Sequence, residues 1–411
     1  MRLALGFACV LALAAPAQAQ LRGHGGPARA VAATPDGERA ISAGFDASAV
    51  IWDLASGQAL GVSHPHEAPA TAAAATANVF ATGDQNGAVA LWRLGSPPMR
   101  VTAHKEAPVA ALAATADGAA FLSAGWDGSV IRIDAASGAT ARLGEPREPL
   151  SGVCADGAGA ITGDQLGKVR WLSGEGAATG EASVGAPILS MACDESRVYA
   201  GLADGRVIEA RRGGPVRLFD MPMPVSALAA RGGRLVAAAM NGALRAYERG
   251  QARDLAAKLG QPVWGLALAG TEVLAAGNDG FVRRYDWASG REREPAEFAS
   301  KDELPEPLRD HPGARVFMAC RACHALRPGE NRAGPTLAGV IGRRIATAPG
   351  YAYSQALKGM DIVWSQDSIA RMFEIGPQAM TPGTKMPEQK VTDAADRAAL
   401  ADFIAKATSA R

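Results

Sequence analysis

The chain has 411 residues, of which 48% are hydrophobic, and its 42 Lys and Arg nearly balance 41 Asp and Glu for a net charge of +1. That length is too great for one small domain and divides into two or three. The composition is that of a globular protein with ample core, and it excludes a nucleic-acid binder, which would need a strong basic excess.

In chain order, Arg2 precedes an apolar run from Leu3 to Ala15, and Ala17-Gln18-Ala19 follows as a small-residue cleavage site. This pattern predicts a signal peptide over residues 1–19 with Gln20 as the mature N-terminus. The apolar run is too short to span a bilayer, so no membrane span is expected once the leader is removed. Cys9 would leave with it.

Residues 20–290 repeat. The pairs Asp46-Ala47, Asn86-Gly87, Asp127-Gly128, Leu166-Gly167, Asp204-Gly205, Asn241-Gly242 and Asp279-Gly280 recur at intervals of 37 to 41 residues. Each is a tight hairpin turn followed by an apolar strand. Five positions past the turn stand Trp52, Trp92, Ile133, Leu172, Tyr247 and Tyr285, while Ala210 breaks the rule. Several short strands per unit, with Trp52-Asp53 in the first, resemble the WD-repeat family, which implies an all-β propeller of seven blades. The strand that closes the ring is not evident, because little mature sequence precedes His24. The resemblance implies a hydrogen-bonded tetrad of His24, Ser42, Asp46 and Trp52, with partial copies at His66, Thr82 and Trp92 and at His104, Ser123 and Asp127. His64, beside Pro65, falls outside this scheme and reads as a solvent-facing side chain. Cys154 and Cys193 occupy nearly equivalent places in adjacent units, where buried free thiols are the default and an interblade disulfide is the alternative.

Residues 291–309, charged and carrying three prolines, read as a linker that leaves its neighbours mobile relative to each other. Past it, Cys320, Cys323 and His324 spell Cys-x-x-Cys-His, the attachment site of a covalent haem. The short spacing presents both thiols on one helical turn for thioether formation, and the adjacent imidazole reaches the iron. A zinc site would need two further ligands nearby. Pro382-Gly383-Thr384-Lys385-Met386 offers a thioether from a loop beyond a helix read from Ser365 to Ile375.

With Gly334-Pro335-Thr336, Gly342-Arg343, Tyr351-Ala352-Tyr353 and Trp364 between these motifs, residues 310–411 resemble class I, mitochondrial-type cytochrome c, an all-α domain. The resemblance implies one haem c with iron ligated by His324 and Met386, leaving no open iron position. It further implies that the Pro335 carbonyl orients the proximal imidazole, that Arg343, Tyr353 and Trp364 hold the propionates, and that Thr384 belongs to the cofactor-binding loop. Gly313 and Phe317 would cross the last helix at Leu400 and Phe403. Three departures stand out: a tyrosine beside the methionine is missing at Arg371-Met372-Phe373, Leu357 replaces an asparagine, and Gln378 and Ala379 replace two lysines of the family's basic ring. Arg321, Arg327, Arg332 and Lys385 keep that face basic, which predicts redox partner proteins with an acidic docking patch.

Export and haem attachment together predict the periplasm. The leading expectation is an electron carrier, not an enzyme, with no catalytic residues and a propeller used for docking. The alternative is a redox enzyme whose propeller binds substrate or a second cofactor and passes electrons to the cytochrome.

Overall fold

A computed structural model describes residues 21–145, 147–194, 197–255, 260–293, 304–317, 320, 323–331, 334–384, 386, 391 and 393–408. The leader expected over 1–19, the central part of the linker, and Arg321, Arg332 and Lys385 of the basic face lie outside the described residues.

Seven four-stranded antiparallel sheets follow one another, built from residues 28–63, 70–102, 109–142, 150–183, 188–220, 225–254 and 263–286, the last completed by Leu21–Arg22. The first strands of successive sheets adjoin, and that of the seventh adjoins that of the first, so the sheets form a closed ring of blades. These strands carry small residues, as in Ala28–Ala33 and Ala70–Ala75, which lets neighbouring blades approach closely. Every one of them has a register irregularity near its start, from Ala28/Ala30 in the first blade to Val263/Gly265 in the seventh. Such bulges sharpen the local twist, and their repetition bends each blade alike.

Ring closure, which the sequence left open, falls to a two-residue strand. Leu21 pairs with Val282 and Arg22 with Phe281 on the strand Phe281–Asp286. Leu21 is fully buried among Trp52, Leu274 and Val282, so its side chain joins the cores of the first and last blades. Arg284 adds a polar tie: it pairs with Glu272 and donates to the Leu54 carbonyl of the first blade.

The hairpin turns take the left-handed backbone that their residues anticipate. Gly87 has φ 85° and Gly205 φ 88°, whereas the first blade places Ala47 at φ 60°, a conformation costly for a residue with a Cβ. At Gly87 a Cβ would also stand 1.9 Å from the His104 carbonyl oxygen.

The tetrad of the first blade is complete. Trp52 donates to the Ser42 hydroxyl at 2.8 Å, Ser42 meets His24 Nε2 at 2.7 Å, and His24 Nδ1 faces Asp46 at 3.3 Å. In the second blade the expected Trp92 does not take part, since its indole donates to the Ser96 carbonyl. His66 instead joins Thr82 at 2.7 Å and Asp84 at 3.1 Å. His104 bonds Ser123 and Asp127 at 2.8 and 3.0 Å. Cys154 and Cys193 are not free: they form a disulfide between the first strands of the fourth and fifth blades. The default reading failed because the facing of two equivalent strands decides whether thiols meet.

Among the described residues beyond the propeller lie five α-helices, α1 (Pro312–Phe317), α2 (Gln355–Lys358), α3 (Gln366–Ile375), α4 (Pro377–Met380) and α5 (Ala394–Thr408). Proline opens α1 where no intrahelical donor is needed, and Ser365 with Ser368 forms a capping box on α3. α1 crosses α5 closely. A Cβ on Gly313 would stand 2.0 Å from the Ala399 carbonyl, and the rings of Phe317 and Phe403 lie 5.2 Å apart. Phe317, Leu400, Phe403 and Leu304 share one core with Ile369 and Phe373 of α3. No helix among the described residues is long and apolar enough to cross a membrane.

Candidate haem site

The helical turn after α1 builds the first wall of the site. Cys323 and His324 both donate their backbone N–H groups to the Cys320 carbonyl, at 3.1 and 3.0 Å. This winding brings both thiols and the imidazole to one short segment. Before haem attachment, burial pushes the Cys320 thiol up to about 12.

His324 is fixed from behind. Its Nδ1 lies 2.8 Å from the Pro335 carbonyl oxygen. A carbonyl can only accept, so Nδ1 carries the proton and Nε2 keeps the basic lone pair. The segment that supplies this acceptor is itself held: Gly334 N–H donates to the Cys323 carbonyl and Leu337 N–H to that of Ala325. Asn331 accepts from the Thr336 amide at 2.9 Å, and the Thr336 hydroxyl donates to the Arg327 carbonyl at 2.6 Å. Gly334 lies flat against the imidazole, where a Cβ would come within 2.4 Å of Cε1.

The opposite wall is the loop after α4. Met386 N–H donates to the Thr384 hydroxyl at 3.2 Å, and Gln378 donates to the Thr384 carbonyl at 2.9 Å. Ser354 donates to the Gly383 carbonyl. The methionine side chain is half-buried against the core of α1, α3 and α5.

Between the walls lies a cavity of about 300 Å³. Cys320, Cys323, His324, Pro335, Arg343, Tyr353, Trp364, Thr384 and Met386, all singled out in the sequence, line it together. Apolar side chains fill the gaps, among them Leu337, Val340, Ile369, Phe373 and the substituted Leu357. Arg343 donates to the carbonyls of Ala338 and Thr336, and its burial lowers its pKa. Tyr353 is shifted upward, by burial first, and so remains a neutral donor. Two thiols on one turn, a basic nitrogen beside them, a thioether across an apolar cavity and a few polar groups at its rim fit a covalently attached haem.

The sequence missed part of the lining. Gly25, Asp46, Ser63 and His64 of the propeller border the same cavity. His64 does not face solvent: its Nε2 is hydrogen-bonded to the Tyr351 hydroxyl at 2.7 Å. The propeller therefore touches the helical unit at the cavity itself. No local pattern marks a contact between residues so far apart in sequence. Position 64 shows only by failing to fit the tetrad scheme.

Comparison with known proteins agrees with both halves. The family model described as Cytochrome c matches residues 311–408, and that described as WD domain, G-beta repeat matches 16–53 and 95–134. Cytochrome c2 of Blastochloris viridis is 42% identical over 88 residues, covering 20% of this chain and 68% of the relative. Cytochrome c2 of Rhodoblastus acidophilus is 40% identical over 86 residues, covering 21% and 79%. Cytochrome c of Euglena viridis is 44% identical over 75 residues, covering 18% and 72%. The first family's model covers the helical part, and the second's covers two segments within the propeller. The chain thus belongs to the cytochrome c family, carries one covalent haem c for electron transfer, and bears a seven-bladed WD-repeat propeller on the N-terminal side of that domain.

Proposed function

We propose that the protein is a periplasmic electron carrier in which His324 and Met386 ligate the haem iron and the propeller docks redox partners. The observation that carries this reading is the hydrogen bond from His324 to Pro335, made within a cavity that both thiols and Met386 also line. That bond raises the basicity of the far imidazole nitrogen and fixes its orientation, as an outer partner of a metal ligand does. Bound haem supplies a one-electron iron couple, and a saturated His/Met pair raises its potential. Arg343, Tyr353, Trp364 and Thr384 would hold the polar edge of the cofactor, with Arg343 offsetting carboxylate charge.

Export is supported by the leader pattern and by the Cys154–Cys193 disulfide, since such bonds persist in oxidising compartments. The domain limits are assigned as a leader over 1–19, the propeller over 20–290, a joining segment over 291–309 and the cytochrome over 310–411. On the family resemblance, Arg321, Arg327, Arg332 and Lys385 would make the haem edge basic and suit partners carrying an acidic patch.

The test is the spectrum of matured, haem-loaded protein. One haem per chain, low-spin in both oxidation states with a methionine–iron band in the oxidised form, is the expected result. Met386→Ala should abolish that band and lower the potential, and an unchanged spectrum would remove Met386 from the iron. A second chromophore on the propeller would replace the carrier by a redox enzyme.

A further inference from the structure

The connection between the first two blades, residues 63–66, is unusually well fixed. At one end Ser63 closes a strand, and at the other His66 is buried and tied to Thr82 and Asp84. Beside it, Asp46 is held by His24, the Gly25 amide and Ser48. His64 thus projects from a rigid platform. On the cytochrome side its partner Tyr351 stacks edge-on against Tyr353, with ring centres 4.8 Å apart. Tyr351 follows Pro349, whose carbonyl accepts from Asn331 at 3.0 Å, and Asn331 also holds the Thr336 amide next to Pro335. An unbroken path of hydrogen bonds and chain links therefore runs from a propeller loop to the group that orients His324. Burial above all, with the Asp46 carboxylate nearby, pushes the Tyr351 phenol upward.

We propose that the propeller is a wall of the haem site and that His64 is a positioning residue: through the Tyr351 hydroxyl it holds residues 349–353 closed over the cavity and so tunes the reduction potential. The inference rests on the reading of the cavity as the haem site. Excluding water lowers the local polarity, which disfavours the more highly charged oxidised form and raises the potential. Losing the hydrogen bond opens the cavity and reverses both effects.

The test uses the haem-loaded full chain and two readouts: the midpoint potential, and the rate at which a small anionic reductant, dithionite, reduces the oxidised protein. His64→Ala and Tyr351→Phe should each lower the potential and raise the reduction rate about threefold to tenfold, as expected for one net hydrogen bond. The double variant should match either single one, because both remove the same contact. His64→Gln, which can still reach the hydroxyl, should recover much of the effect. Tyr351→Phe lies outside the propeller and keeps the test open should His64→Ala fail to fold. Unmoved potential and reduction rate in the variants, with the methionine–iron band intact, would overturn the positioning role. Absence of that band in the unaltered protein would instead sink the axial-ligand assignment.

Discussion

His104 shows how a buried tetrad responds to acid. Burial lowers its pKa below the ordinary value near 6.5, outweighing the opposing pull of Asp127. Folding therefore favours the neutral ring. Its contribution is complete above about pH 6.5 and is lost as pH falls toward the depressed folded-state value. Asp127 adds a loss at lower pH: burial pushes its carboxyl up, but bonds from the Ser129 amide and hydroxyl hold it below the usual range. Thermal unfolding followed between pH 7.5 and 5 should show a falling midpoint, and His104→Gln should flatten that slope while lowering the midpoint at pH 7.5. An equal slope in the variant would place the acid sensitivity elsewhere. His104 and Asp127 were legible because each sits at a fixed offset within its repeat. Asp84 does the same work in the second blade but precedes its turn pair by two residues, so the turn pair does not mark it. His64 was illegible for a different reason, because its partner lies in another domain.

Among the elements, the turns and helices were the most readable, since both are dictated locally. Asp-Gly and Asn-Gly pairs announce left-handed turns, and Ser365 announces the start of α3. The strand Leu21–Arg22 has no periodicity to detect, and only the ring it closes gives it a role. The Cys154–Cys193 bridge belongs to the same class, because it depends on which faces of two strands meet. Its loop of 39 residues should contribute about 4 kcal/mol on the chain-entropy account. Replacing both cysteines by serine should therefore lower the propeller's unfolding temperature by about 10 °C. A thiol assay on unfolded, haem-loaded protein should find no reactive cysteine, and two reactive groups would refute the bridge.

At the scale of the molecule, the cytochrome has a core of its own that runs from Leu304 to α5, and the propeller adds one wall to its cavity. A fragment beginning at Leu304, exported with functioning haem-attachment machinery, should fold and take up one haem. Its potential should lie below that of the full chain, because the cavity then meets water where Gly25, Asp46, Ser63 and His64 stood. A fragment that never acquires haem would show that the two halves fold as one unit.

The placement of Leu21 and Arg22 also governs when the ring can form. Their partners Val282 and Phe281 lie at the far end of the propeller, so the last seam waits until nearly the whole propeller has been synthesised, and loop closure over that length is slow. If the leader ends at residue 19, the sealing strand begins almost at the cut. On the proposed export route, a chain still in transit would lack the pairing of residues 21 and 22 that seals the ring, so the seam would be the last part of the propeller to set.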